Sequence, residues 1–276
     1  MDLENVLTLI QKELRDAFRN RWFLLYAIAF AALSLALAWF SVSGAGSFGV
    51  AGFGRTTAGL INLILLIVPL MGLTLGAMSL ASEREKGTLI YLMAQPISSS
   101  ELLLGKFVGL ALALTTALLI GFGLTGVLMV FAGGGGDFGV YLTLLVLSVL
   151  LAIASLSLGF LISAAVRRAA TAVGLALFLW LVLVYFGDLG LMGTAVVMQL
   201  DVEQLLALAL INPLQVFKVA AVLDLRDNLE VLGPAGIYAF RTYGAALWPL
   251  LVALLLAWIV VPFAAAMLAF KKRGVL

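Results

Sequence analysis

The stretch "ASEREKGTLIYLMAQPISSSELLLGK", Ala81 to Lys106, separates two of the most apolar segments of a chain that is 64% hydrophobic. Four alternating charges, Glu83-Arg84-Glu85-Lys86, end the segment before it. Gly87 can stop a helix there, because glycine enters the left-handed backbone conformation without steric cost. "TLIYLMAQ" has the length of one short helix with a partly apolar face, and Pro96 breaks it. Ser98 and Glu101 have the spacing of a capping box, in which each side chain accepts from the other's backbone N–H at a helix start. The stretch therefore encodes a helix, a stop, a short transverse helix, a second stop and a new helix.

The segments on either side decide the class. Only 11% of the residues are charged, against roughly 25% in a soluble domain. So little polar material cannot cover the surface of a soluble protein of 276 residues. Crossing ~30 Å of hydrocarbon takes about 20 mostly apolar residues at ~1.5 Å each. Six stretches qualify: Trp22 to Val42, Thr57 to Leu80, Leu102 to Ala132, Val140 to Val166, Thr171 to Met192 and Ala246 to Phe270. Their many small residues let helices approach closely in lipid. The first stretch lacks a small-residue cleavage site and is too long for the apolar core of a signal peptide, so it is expected to be retained. The expected fold is an all-α membrane protein. An amphipathic interfacial helix over residues 1–21 precedes a six-span domain over 22–276, with a loop at 82–101 and an outer cap at 193–245.

Lysine and arginine orient the spans. With the N-terminus in the cytoplasm, twelve fall on the inner side: Lys12, Arg15, Arg19, Arg21, Arg84, Lys86, Lys106, Arg167, Arg168, Lys271, Lys272 and Arg273. Four fall outside: Arg55, Lys218, Arg226 and Arg241. Both termini are expected in the cytoplasm, and the protein in a bacterial inner membrane. The polar stretch then lies inside, between the second and third spans.

The segment before the first span repeats Val6, Ile10, Leu14 and Phe18 every four residues, with Leu3 and Leu7 beside them and Lys12, Glu13, Arg15, Asp16 and Arg19 opposite. Such a helix suits the membrane surface, or packing on a soluble partner. Within the cap, "DVEQLLALALINP" and "NPLQVFKVAAVLDL" each suit a short helix, the second with Asn212 as N-cap and Pro213 at its first position.

Much chemistry is excluded. There is no cysteine and no histidine, which removes disulfides, thiolate chemistry and imidazole bases or ligands. A net charge of +2 gives no case for nucleic acid. The run "GGGGDFG" lacks the Lys-Ser/Thr pair of a phosphate loop, and in "LLGKFVG" a phenylalanine follows the lysine. No nucleotide-hydrolysing motif remains, so the chain is expected to be no enzyme and to bind no cofactor of its own.

Some residues invite a functional role. Asp188 lies near the outer end of the fifth span, where a charge is costly and often functional, or simply reaches the interface. Pro69 interrupts the second span, with Gly72 and Gly76 after it, as a moving or a static kink. Met71, Met78, Met192 and Met198 carry thioethers that suit Cu(I). Methionine is also ordinary packing material, and no metal site is expected. In the 82–101 loop, Leu89, Leu92 and Met93 suit docking on a cytoplasmic partner better than a merely solvated turn does.

"EREKGTLIYLMAQPISSSELLLGKFVG" resembles the loop of type-2 ABC transporter permeases. It carries Glu83, Glu85, Gly87, Thr88, Leu89, Leu92, Pro96, Ile97, Ser98, Glu101, Gly105 and Lys106 of that pattern, with Ser99 where arginine is frequent. The resemblance implies that Glu83, Arg84, Glu85, Lys86, Gly87, Thr88, Leu92, Pro96 and Glu101 couple the chain to a separate ATP-hydrolysing subunit. That subunit, in two copies, would carry the ATP and Mg, and a second permease copy would complete a homodimer. "AVGLALFLWLVLVYFGDLGL" and "LINPLQVFKVAAVL" are similar to the permeases of nitrous oxide reductase maturation systems. That similarity implies a sulfur- or copper-related cargo and a periplasmic partner on the cap. Two alternatives within the family stay open: an exporter of a drug, lipid or peptide, and a permease that transmits force to a periplasmic partner. A secondary transporter would show ion-coupling residues within its spans, and a membrane enzyme a polar catalytic cluster; the sequence offers neither.

Overall fold

The computed structural model describes residues 3–44, 52–95, 97–131, 138–187, 201–226 and 234–273, and all regular structure among them is helical. In chain order the helices are α1 (Leu3–Arg19), α2 (Arg21–Gly44), α3 (Gly52–Glu85), α4 (Thr88–Met93), α5 (Ser99–Phe131) and α6 (Phe138–Ala165). They continue as α7 (Ala169–Tyr185), α8 (Val202–Leu210), α9 (Pro213–Arg226), α10 (Pro234–Tyr243) and α11 (Leu247–Arg273). Asp188, Met192, Met198 and Pro96 lie outside the described residues.

Among the described residues, five segments are long and apolar enough to cross a membrane: Arg21–Phe40, Gly59–Glu85, Ser99–Phe131, Phe138–Ala165 and Gly236–Lys272. The fifth expected span is present as α7, a shorter apolar helix of 17 residues. At ~1.5 Å per residue it is about 26 Å long, and π-type turns follow it at residues 186–187. The last span begins about ten residues earlier than expected, because α10 and a 3-10 turn at Gly244–Ala246 lead into α11.

The central seam is α3 against α6, and glycine makes it possible. A Cβ on Gly76 would stand 2.5 Å from the Leu156 carbonyl oxygen, and one on Gly159 would stand 2.5 Å from that of Leu73. Gly72 lies equally close to the Ala152 carbonyl. These glycines are therefore where two backbones meet, which is how helices gain dispersion contacts in lipid. Ser163 adds a polar tie, its Oγ accepting from the N–H groups of Leu80 and Ala81 at 2.9 Å each. Helix α3 stays continuous through Pro69. That proline deprives the Leu65 carbonyl of its intrahelical donor, and one residue on, Trp180 Nε1 on α7 donates to the Leu66 carbonyl at 3.0 Å.

Within the segment expected as an outer cap, α8 and α9 form a helix pair bent by 109°. Asn212 stands at the bend: its Oδ1 accepts from the Leu214 N–H at 3.0 Å, as an N-cap does, while its Nδ2 donates to the Leu183 carbonyl of α7 at 2.7 Å. Helix α9 packs against α6 and α11 and buries Val216, Phe217 and Ala220 completely. One arm of the pair thus packs directly on two of the spanning helices.

Candidate functional site

The polar stretch folds as its punctuation indicates. Helix α3 ends at Glu85, and Gly87 follows with φ 73°, the left-handed region that favours glycine. No atom lies within 4 Å of a Cβ built there, so the backbone and not space selects glycine. After α4, the capping box forms: the Ser98 N–H donates to Glu101 Oε2 at 2.9 Å, and the Glu101 N–H donates to Ser98 Oγ at 3.3 Å.

Three of the charged residues bond to neighbouring helices. Arg84 Nη1 donates to the Val166 carbonyl at 2.7 Å and to that of Ser163 at 3.4 Å, at the C-terminal end of α6. Glu85 Oε2 accepts from the Ala169 N–H at 2.8 Å, at the N-terminal end of α7. A cation on a helix C-terminus and an anion on an N-terminus both complement the helix dipole. Glu83 accepts from Lys106 Nζ at 2.7 Å and from Lys12 Nζ at 3.4 Å. Three adjacent residues of α3 thereby fasten it to α1, α5, α6 and α7.

Lys106 is the centre of this arrangement; the sequence showed it as an inner-side charge and as part of the permease loop pattern, but gave it no role. Its side chain, one turn into the third expected span, is 2% exposed and donates to both Glu13 Oε1 at 2.6 Å and Glu83 Oε1 at 2.7 Å. Glu13, expected on the polar face of α1, is buried with Val6, Leu9 and Ala17, whereas Leu3, Leu7 and Phe18 of the expected apolar stripe are exposed. Helix α1 is rotated toward α5 because that helix offers Gly105 and Gly109. A Cβ on Gly109 would reach 2.7 Å from the Cβ of Glu13, and one on Gly105 2.6 Å from that of Leu9. Beneath the charges, Phe107, Phe160 and Phe263 stack α5, α6 and α11 at ring separations of 4.1 to 6.0 Å.

The environment sets the protonation of the α1 groups. Burial pushes the Glu13 carboxyl up, but Lys106 and then Lys12 hold it below the usual carboxylate range. Burial pushes Lys12 down, and the Glu13 carboxylate beside it more than offsets that, so its ammonium stays protonated above the usual lysine range. Both groups remain charged at neutral pH.

The rest of α4 is amphipathic in an unexpected sense. Leu89 is fully buried, and Leu92 and Met93 are half-buried against the core. What the short helix presents outward is Ile90 and Tyr91, 60% and 77% exposed, with Lys86 and Thr88 exposed beside them. Met71 sits in the core, and Met78 lines a cleft between α1 and α3.

Residues 7–275 match the family described as ABC-2 family transporter protein. The chain is 31% identical to the probable ABC transporter permease protein NosY of Stutzerimonas stutzeri over 278 aligned residues, covering 98% of this chain and 99% of that one. It is 35% identical to the protein of the same description from Pseudomonas aeruginosa over 225 residues, 77% of this chain and 80% of that one.

Proposed function

The chain belongs to the ABC-2 transporter family, as a non-catalytic multi-pass membrane subunit that works with an ABC ATPase; from this we propose that it is the permease of a nitrous oxide reductase maturation transporter. Its cargo would be a sulfur- or copper-related species. The α1 and α4 end faces the cytoplasm, two copies of the chain pair, and each engages one ATPase subunit, which carries the ATP and Mg. A periplasmic partner docks over residues 193–245. The subfamily reading is supported by similarity to the two NosY proteins over most or all of their length.

One observation carries the coupling role. Helix α4 leaves α3 at Gly87, and the residues just before that turn grip α1, α5, α6 and α7 by the bonds described above. A displacement of α4 is therefore delivered to four other helices at once, which a loop of solvated charges would not do. Glu83, Arg84 and Glu85 transmit the displacement, and Ile90 and Tyr91 receive it.

Two experiments test this function. In a strain lacking the gene, the reductase should retain its electron-transfer copper and lack its sulfide-containing catalytic cluster; a fully loaded, active reductase would overturn the maturation role. For the coupling, Tyr91→Ala removes an exposed aromatic that makes none of the internal bonds. Loss of one such anchor costs about 2 kcal/mol, or roughly 30-fold in ATPase-subunit affinity, while the permease stays at wild-type level in the membrane. Unchanged affinity would exclude α4 as the contact.

A further inference from the structure

Between α1 and the adjoining end of α3 is a cleft of about 390 Å³ that the coupling role leaves unused. It lies where the amphipathic α1 meets the ends of the spanning helices. Its border includes the buried Glu13 and the partly buried Glu83, each held through Oε1 by Lys106 and Lys12. The charges presented at the opening are different ones. Arg19 and Lys86 are exposed, and Lys12 is partly so, against Asp16 as the exposed anion. Its apolar lining is Leu75, Met78 and the buried Leu110, beside Ser79 and Ser82, whose hydroxyls donate to backbone carbonyls of their own helix.

We propose that this cleft binds a glycerophospholipid from the leaflet at this end of the bundle. The phosphodiester sits among Arg19, Lys86 and Lys12, and the first carbons of an acyl chain run over Met78 toward Leu110. Basic pockets between membrane helices select phosphorylated headgroups because the cations act close to an interface where water is scarce. An apolar floor behind a cationic rim is the complement of a phosphate that carries a hydrocarbon tail. Free phosphate matches only the rim.

The test uses the full chain, reconstituted in bilayer discs of phosphatidylethanolamine and phosphatidylglycerol, released into detergent and weighed intact by native mass spectrometry. Wild-type protein is expected to keep at least one phospholipid per chain, with phosphatidylglycerol preferred because cations outnumber anions at the opening. Arg19→Glu should cut retention by about tenfold, whereas Arg19→Lys should preserve it. Met78→Trp should also release the lipid by filling the floor with the rim intact; should that variant not fold, the Arg19 pair decides alone. Equal retention of the two lipids supports the site through the phosphodiester they share. Equal retention by wild type and Arg19→Glu overturns it, as does complete displacement of the lipid by millimolar inorganic phosphate. Capture of the ATPase subunit by the cleft, shown by cross-linking from position 78, would also overturn it.

Discussion

A lysine ammonium with almost no solvent contact survives only if its partners hold it closely, and Lys106 has two carboxylates within 2.7 Å. Desolvation of such groups costs several kcal/mol each, so the cluster contributes little net stability as a whole and much when broken. Lys106→Met should destabilise the protein by about 3–5 kcal/mol, because Glu13 and Glu83 are left buried beside each other. Detergent thermal unfolding and the amount of protein in the membrane would both fall. Adding Glu13→Gln and Glu83→Gln should recover much of the loss; no recovery would show that the lysine stem, not its charge, matters. The same cluster sets a pH window. A carboxyl held below its ordinary value of 4.5 adds stability that is complete above that value and lost as pH falls through the lowered one. Lys12, raised, adds stability that is present below its ordinary 10.5 and lost as pH rises past it. The docking of α1 should therefore hold through neutral pH and loosen in acid below about 4.5 and again in strong alkali above the ordinary lysine value of 10.5, and a fluorescence change of Trp22 at the start of α2 would follow it.

At the level of helices, close approach and polar tethers do different work. The α3–α6 seam tolerates no side chain at Gly76 or Gly159. Gly159→Leu should cost about 3 kcal/mol or more through overpacking, with the protein lost from the membrane rather than merely inactive. Gly109→Ala is milder and more specific. It pushes α1 off α5 at Glu13, so it should lower coupled ATPase activity with most of the protein still in place. Hydropathy made the spanning helices legible before any coordinates, and punctuation by Gly87 and the Ser98–Glu101 box made the loop legible, because these signals are local. The rotation of α1 was not. It depends on two glycines on α5 about ninety residues away, and a helical period on α1 cannot register them. For the same reason Glu13 reads as a surface residue and Lys106 as a boundary charge. Helix α9 is a different case: its sequence marks a short apolar helix, but not that α6 and α11 are its neighbours.

The whole molecule is a set of helices with two distinguishable ends. One carries α1, α4 and the ionic cluster; the other carries the Asn212 bend against the last turn of α7. With no cysteine in the chain, single replacements report cleanly. Gln95→Cys, exposed after α4, and Ile211→Cys, 65% exposed at the bend, should react with an impermeant thiol reagent from opposite sides of the membrane, position 95 from the cytoplasm. Reaction of both from one side would overturn the topology. The bonds of Arg84 and Glu85 also have a history in time. Their partners, the end of α6 and the start of α7, follow them by about eighty residues. At about 5–20 residues per second, synthesis leaves the Glu85 carboxylate without its Ala169 donor for roughly 5–15 s. During that interval α3 carries an unfinished end, and translation must reach α7 before the ribosome's product can close around it. A nascent chain arrested short of Ala169 would thus still present the Glu85 carboxylate without that donor, a recognisable mark of incompleteness for the machinery that inserts or discards membrane proteins.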